Sequence, residues 1–127
     1  MARTSPSVLI VDDSSGVSTA IAMMLEEDGF LVEIADSYQS GLQAILAGNF
    51  RLLIIDVNLG TDSGVNLAAE VVRQNLPCKI ILTSGLLDLS PELERHPDLK
   101  RLPILLKPFG RQGLLECVQR TLEEAAA

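Results

Sequence analysis

Tryptophan is absent, and phenylalanine and tyrosine together make up only 3% of the 127 residues. Platforms on which single-stranded bases could stack are therefore scarce, and the core has to be aliphatic. Histidine occurs once, at His96, and cysteine twice, at Cys78 and Cys117. Two distant thiols make neither a disulfide framework nor a zinc-ligand pattern, so both are expected to be unpaired, buried or half-buried, and in a reducing compartment. Long apolar runs are missing too. Val8–Val11 is shorter than a signal-peptide core, and no stretch approaches ~18 uninterrupted apolar residues. The chain thus reads as cytoplasmic, with no membrane partner. Basic residues are in the minority: ten Lys and Arg against seventeen Asp and Glu leave a net charge of −7. That sign repels phosphate backbones, which argues against direct nucleic-acid binding and favours a basic or mixed-charge protein partner.

What is present suffices for one domain spanning 1–127. With 47% hydrophobic residues, a chain of this length buries roughly two-thirds of its unfolded surface without a disulfide or structural metal. Aliphatic runs recur at Ser7–Val11, Leu31–Ala35, Leu52–Ile55, Lys79–Leu82 and Ile104–Leu106. Most lack polar alternation, which suits strands covered on both faces. Helical spacing falls between them. Val17, Ile21, Met24 and Leu25 share a face, with Ser14 and Ser15 as caps and Gly29 as the stop. Leu42, Ile45 and Leu46 form a second stripe, Val65, Ala68, Ala69 and Val72 a third, and Leu114, Leu115, Val118 and Leu122 a last. The pattern predicts an α/β fold of five βα units, with a parallel sheet between helices and ligands beyond the carboxyl ends of its strands. Leu86–Pro103 holds Pro91, Pro97 and Pro103, so the fourth helix is expected to be short or irregular, confined to Pro91–Arg95, and this segment the most mobile.

Polar residues gather at the predicted strand ends. Asp12 and Asp13 follow the first strand, Asp56 follows the third, Thr83 closes the fourth and Lys107 follows the fifth. In a parallel sheet these ends open on one edge. A single Asp after a strand is usually a turn residue or helix cap, but five polar residues from four strand ends form a constellation. Three carboxylates brought together repel, which raises the pKa of at least one unless a cation neutralises them. Hard oxygen ligands in small number suit Mg²⁺, which commonly shares its shell with a phosphate. Lys107 and the Thr83 hydroxyl can each engage a phosphoryl oxygen, leaving Asp56 as the nucleophile that forms an acyl phosphate.

These motifs, Val8-Leu9-Ile10-Val11-Asp12-Asp13, Leu53-Ile54-Ile55-Asp56, Ile80-Ile81-Leu82-Thr83-Ser84-Gly85 and Leu106-Lys107-Pro108-Phe109, resemble the receiver domain of two-component response regulators. The resemblance implies a flavodoxin-like doubly wound sheet of strand order 2-1-3-4-5. It also implies that Asp56 accepts a phosphoryl group from a phosphohistidine on a sensor histidine kinase or a histidine phosphotransfer protein. Asp13 and Asp56 would bind Mg²⁺ directly, Asp12 through water, and the Asn58 carbonyl would complete the protein ligands. Thr83 and Lys107 would report the phosphate to the surface formed by the fourth helix, fifth strand and fifth helix, where an unidentified downstream protein docks. Receivers usually have a cis bond at the position of Lys107-Pro108. This sequence departs from the pattern at Ser84, where Ala is common, at Gly60, where Pro is common, and at Ile104, where most receivers carry a switching Tyr or Phe. Without that ring, Ile104 is expected to stay packed while the loop around Gly85 and the Pro-rich segment carry the signal.

The resemblance describes a signalling switch rather than an enzyme, whose chemistry ends with its own phosphorylation and dephosphorylation. An aspartate-nucleophile phosphatase of the haloacid dehalogenase type would need a second Asp where Asn58 stands. A phosphate-independent pseudo-receiver would not need all of Asp12, Asp13, Asp56, Thr83 and Lys107. No Gly-rich phosphate loop follows the first strand. His96, between Arg95 and Pro97, is expected to be solvent-exposed rather than a ligand, and Glu26-Glu27-Asp28 and Glu123-Glu124 to be solvated helix ends. Met1 shortly before the first strand and Ala125–Ala127 after the last helix favour the expectation of a stand-alone domain, whereas Thr83-Ser84-Gly85 and the shortened fourth helix also resemble receivers fused to kinases, so a fragment of a hybrid kinase or larger regulator is the alternative.

Overall fold

A computed structural model of the chain describes residues 7–85 and 93–124. In chain order the elements are β1 (Ser7–Val11), α1 (Ser15–Glu27), β2 (Leu31–Ala35), α2 (Tyr38–Ala47), β3 (Leu52–Asp56), β4 (Asn58–Leu59), β5 (Asp62–Ser63), α3 (Gly64–Arg73), β6 (Lys79–Ser84), β7 (Ile104–Leu106) and α4 (Arg111–Glu123). The main sheet is parallel, in the order β2-β1-β3-β6-β7. Leaving out the small antiparallel ribbon β4–β5, that is the expected order 2-1-3-4-5. The fourth helix was expected at Pro91–Arg95, and its first residues lie outside the described ones. From Leu93 onward the segment contains the 3₁₀ turn Pro97–Leu99.

Strand alternation divides the apolar residues between two layers. Leu9, Val11, Leu53 and Ile55 face α2 and α3, where they pack with Ile45, Val65, Leu67 and Ala68. Val8, Ile10, Ile54 and Ile81 face α1 and α4 and meet Ile21, Leu25, Leu114 and Val118. Each such side chain, fully buried, contributes about 1.5–3 kcal/mol relative to exposure. The two layers therefore hold the central strands, and with them the strand ends, in fixed register.

Several local expectations shift. Leu46 is 54% exposed rather than part of the α2 stripe, because Gly41 and Ile45 form its buried face. In α3 the buried line runs through Val65, Ala68 and Val71, joined by Leu67, with Val72 only half-buried. Ser14 occupies the N-cap of α1 but makes no side-chain capping bond, whereas Ser37 and Ser40 cap α2 reciprocally. Gly29 does end α1, with a left-handed φ of 92°. Glu27 is not merely solvated: it pairs with Arg111, so the end of α1 and the start of α4 offset each other's unfavourable dipole charge. Ile104 is 37% exposed rather than packed, since β7 is an edge strand of three residues. His96 is half-buried, its Nε2 3.1 Å from Asn66 Oδ1. Cys78 and Cys117 are half-buried and unpaired, and burial pushes both thiols up. Among the described residues no helix is long and apolar enough to cross a membrane.

Candidate functional site

The strand ends deliver their polar residues to one edge, one rung further along than the sequence suggests. Asp56 is the last residue of β3 rather than the first after it, and β6 continues to Ser84, so Asp56 and Thr83 are registered neighbours. Mixed apolar–polar ends of this kind are hard to read from hydropathy, because the ladder continues where the apolar run stops. The Val57 amide donates to the Thr83 carbonyl at 3.0 Å, extending the pairing into the loop. Thr83 is only 1% exposed.

Asp12 and Asp13 leave β1 with opposite exposures. Asp12 is buried, its Oδ1 accepting from the Ser14 amide at 2.9 Å, while Asp13 faces solvent. Across from them, Asp56 Oδ1 accepts from the Asn58 amide at 3.0 Å. Lys107 follows β7, where its amide donates to the Ser84 carbonyl at 2.7 Å. Its Nζ donates to Asp56 Oδ2 at 2.8 Å and to Asp12 Oδ2 at 3.2 Å. The Lys107-Pro108 bond is cis, as expected.

Burial, reinforced by the Asp56 charge, holds the Asp12 carboxyl above its usual value, against the opposing Ser14 amide and Lys107. Repulsion is thus present but secondary to desolvation. Burial works against the Lys107 ammonium as well, yet its bonds to Asp56 and Asp12 outweigh this and raise its pKa. One carboxylate oxygen from each of Asp12, Asp13 and Asp56 lies within 4.8 Å of the others. With one ammonium among three carboxylates, full ionisation leaves an excess of two negative charges. Hard oxygen donors with that excess fit a divalent cation of the Mg²⁺ type.

Beside Asp56 opens a cleft of ≈ 700 Å³, lined by Asn58, Thr61, Asp62, Ser63, Asn66, Gly85 and Lys107 among others. The sequence reading missed its far wall. Ser63 Oγ caps α3 by accepting from the Val65 and Asn66 amides, and the Gly64 amide donates to the Val57 carbonyl at 2.8 Å. Gly64 is what lets α3 start so close: a Cβ there would lie 1.8 Å from the Asp56 carbonyl oxygen. The signal was available as Ser63-Gly64, a capping residue followed by glycine just ahead of an apolar stripe. Asn58, Gly60 and Asp62 belong to the β4–β5 ribbon, whose two-residue loop needs positive φ at Gly60, observed at 71°. Proline, fixed near −65°, could not stand there, which accounts for that departure from the receiver pattern.

Comparison with known proteins agrees with this geometry. The family model described as response regulator receiver domain matches residues 8–119. The transcriptional regulatory protein LytR of Staphylococcus aureus is 26% identical over 114 residues, covering 88% of this chain and 45% of that protein. CusR of Escherichia coli, also a transcriptional regulatory protein, is 28% identical over 120 residues, covering 94% and 52%. The chain therefore spans about half the length of the curated relatives it matches. Among solved structures, a CheY-like receiver domain protein from Methanospirillum hungatei superposes with a TM-score of 0.86 at 26% identity, covering 94% of this chain and 95% of that one. The chemotaxis response regulator CheY4 of Vibrio cholerae gives a TM-score of 0.80 at 27% identity, covering 93% and 99%. A family match running through both Asp12-Asp13 and Lys107, on a sheet of this order, places the chain in the receiver domain family of two-component response regulators.

Proposed function

We propose that Asp56 is the phosphoacceptor of a cytoplasmic phosphorelay, taking a phosphoryl group from a phosphohistidine of a sensor kinase or histidine phosphotransfer protein. The observation that carries this reading is the Lys107 ammonium bound to Asp56 Oδ2 at 2.8 Å, beside the Asp12 and Asp13 carboxylates and at the mouth of the cleft. A carboxylate oxygen of Asp56 attacks phosphorus, the P–N bond to imidazole breaks, and the ring, already protonated on its other nitrogen, leaves as neutral imidazole. The product is an acyl phosphate.

The chain's own residues supply position and charge. The Asn58 amide fixes the Asp56 carboxylate through Oδ1, Lys107 meets the incoming phosphoryl oxygens, and Thr83, in register with Asp56 on the neighbouring strand, has a hydroxyl to donate to one of them. Asp12, Asp13, Asp56 and the Asn58 carbonyl would hold Mg²⁺, which when bound supplies positive charge against the phosphoryl oxygens. The same groups serve loss of the phosphate to water, so the chemistry is limited to this residue's own phosphorylation state. A downstream protein reads that state, and the whole span 1–127 acts as one receiver domain.

Incubation with acetyl phosphate and Mg²⁺ is expected to add the mass of one phosphoryl group. Asp56→Asn or a chelator should abolish the addition. An undiminished yield in Asp56→Asn would refute the acceptor assignment, and an undiminished yield with chelator would refute the metal.

A further inference from the structure

The charge of this chain is distributed unevenly. Between Arg3 and Arg51 the sequence contains no Lys, Arg or His and seven acidic residues, while the remainder holds ten Lys and Arg against ten Asp and Glu. The entire net charge of −7 therefore arises in one stretch. Asp12 and Asp13 of that stretch belong to the site. The other five, Glu26, Glu27, Asp28, Glu33 and Asp36, are exposed, and only Glu27 has a described cationic partner, Arg111. The fold concentrates them at the end of α1 and along β2, the outermost strand of one side of the sheet.

β2 is paired on one side only, in unbroken register with β1 over five residues. Exposed edges are normally blunted by Lys, Pro, a bulge or shortness. The opposite edge, β7, is three residues long and bracketed by Pro103 and Pro108. β2 has no Lys, Pro or bulge, and its one charge is that of the exposed Glu33. It presents Leu31 at 58% and Ile34 at 46% exposure, with Glu33 between them. At its carboxyl end a groove of ≈ 450 Å³ opens between the starts of α1 and α2, walled by Ile34, Asp36, Ser15 and Thr19 and also by Asp12 and Asp13 of the site.

We propose that the β2 edge is a docking surface for an extended segment of a partner protein that carries one apolar and one basic side chain on each of its two faces. Strand addition would satisfy the open backbone edge; on one face an apolar side chain would cover Leu31 and a basic one meet Glu33, and on the other the same pair would meet Ile34 and Asp36. A second copy of this chain is disfavoured, because it would bring two uncompensated acidic edges together. The inference rests on the strand edge and its charge, not on the reading of Asp56 as phosphoacceptor.

The test is a titration of isotope-labelled protein with two short synthetic peptides, one repeating Val-Thr-Lys, the other Val-Thr-Glu, followed by amide chemical shifts. The Val-Thr-Lys peptide is expected to move amides of 31–36, with affinity that falls as salt rises. Glu33→Lys and Ile34→Ser, both at exposed positions, should each weaken it about tenfold. The Val-Thr-Glu peptide should leave the spectrum unchanged. Equal binding of both peptides, shifts centred on Ile104–Leu106, insensitivity to both substitutions, or self-association of the protein through β2 would each overturn the proposal.

Discussion

Replacing Gly64 by alanine tests how tightly the acceptor strand and α3 are joined. Gly64 begins α3, and its amide donates to the Val57 carbonyl at 2.8 Å. An added Cβ would lie 1.8 Å from the Asp56 carbonyl oxygen, 2.7 Å from its carbon and 2.9 Å from Val57 Cα. All three atoms are backbone, so no rotamer change relieves the clash. Either the helix start or the Asp56–Val57 peptide must move by more than an ångström, and the Gly64–Val57 bond is lost or stretched. Overpacking costs about 1–3 kcal/mol and a lost hydrogen bond about 1 kcal/mol, which together place Gly64→Ala near ~3 kcal/mol of destabilisation. For a domain of this size that is a fall in Tm of about 10 °C. Urea unfolding measures it directly. Gly113→Ala in α4 is the control, since a Cβ there meets nothing within 4 Å. It should be neutral or stabilise by about 0.5 kcal/mol through the unfolded state. Because the displaced peptide carries Asp56, acetyl phosphate labelling of Gly64→Ala should also fall even where the protein remains folded. A Gly64→Ala protein within about 0.5 kcal/mol of the parent, with undiminished labelling, would refute the close approach.

Lys107→Met should destabilise the magnesium-free protein by about 2 kcal/mol, since it leaves the buried Asp12 and Asp56 without their shared counter-charge. Combining it with Asp12→Asn should recover part of the loss in urea unfolding, and strictly additive losses would contradict the coupling. The raised carboxyl of Asp12 sets a pH dependence of definite sign. Its folded state holds the proton more tightly than the unfolded chain, so the contribution is full below the unfolded value of about 3.8 and is lost as pH rises through the folded value. Without magnesium, the Tm of Asp12→Asn should therefore gain on the parent as pH is raised from 3.5 to 7, and a parent that gains instead would reverse the argument. Gly60→Pro should unpair the β4–β5 ribbon at a cost of about 1–3 kcal/mol, because a φ of 71° is closed to proline. Unchanged amide shifts at Asn58, Leu59 and Asp62 would show the ribbon does not depend on that turn.

Periodicity and composition alone determined the βα alternation, the parallel sheet and the five polar residues at its carboxyl edge. Hydrophobic runs of strand length separated by amphipathic stretches admit few other arrangements, and parallel strands necessarily place their ends on one edge. The receiver family was legible from the same residues because Asp12-Asp13, Asp56, Thr83 and Lys107 occur in order at strand ends. Tertiary structure decided what depends on atoms meeting across distant segments. Desolvation, more than mutual repulsion, raises Asp12, and that follows from a burial no local pattern reports. The approach of α3 to Asp56 rests on a missing Cβ, and the half-buried His96 rests on Asn66 thirty residues earlier. Leu46 and Ile104 obeyed their apolar patterns and still face solvent, because a stripe specifies which side chains share a face and not whether another element arrives to cover it. The acidic stretch between Arg3 and Arg51 was countable in the sequence, but only the sheet order turned it into one edge of the molecule.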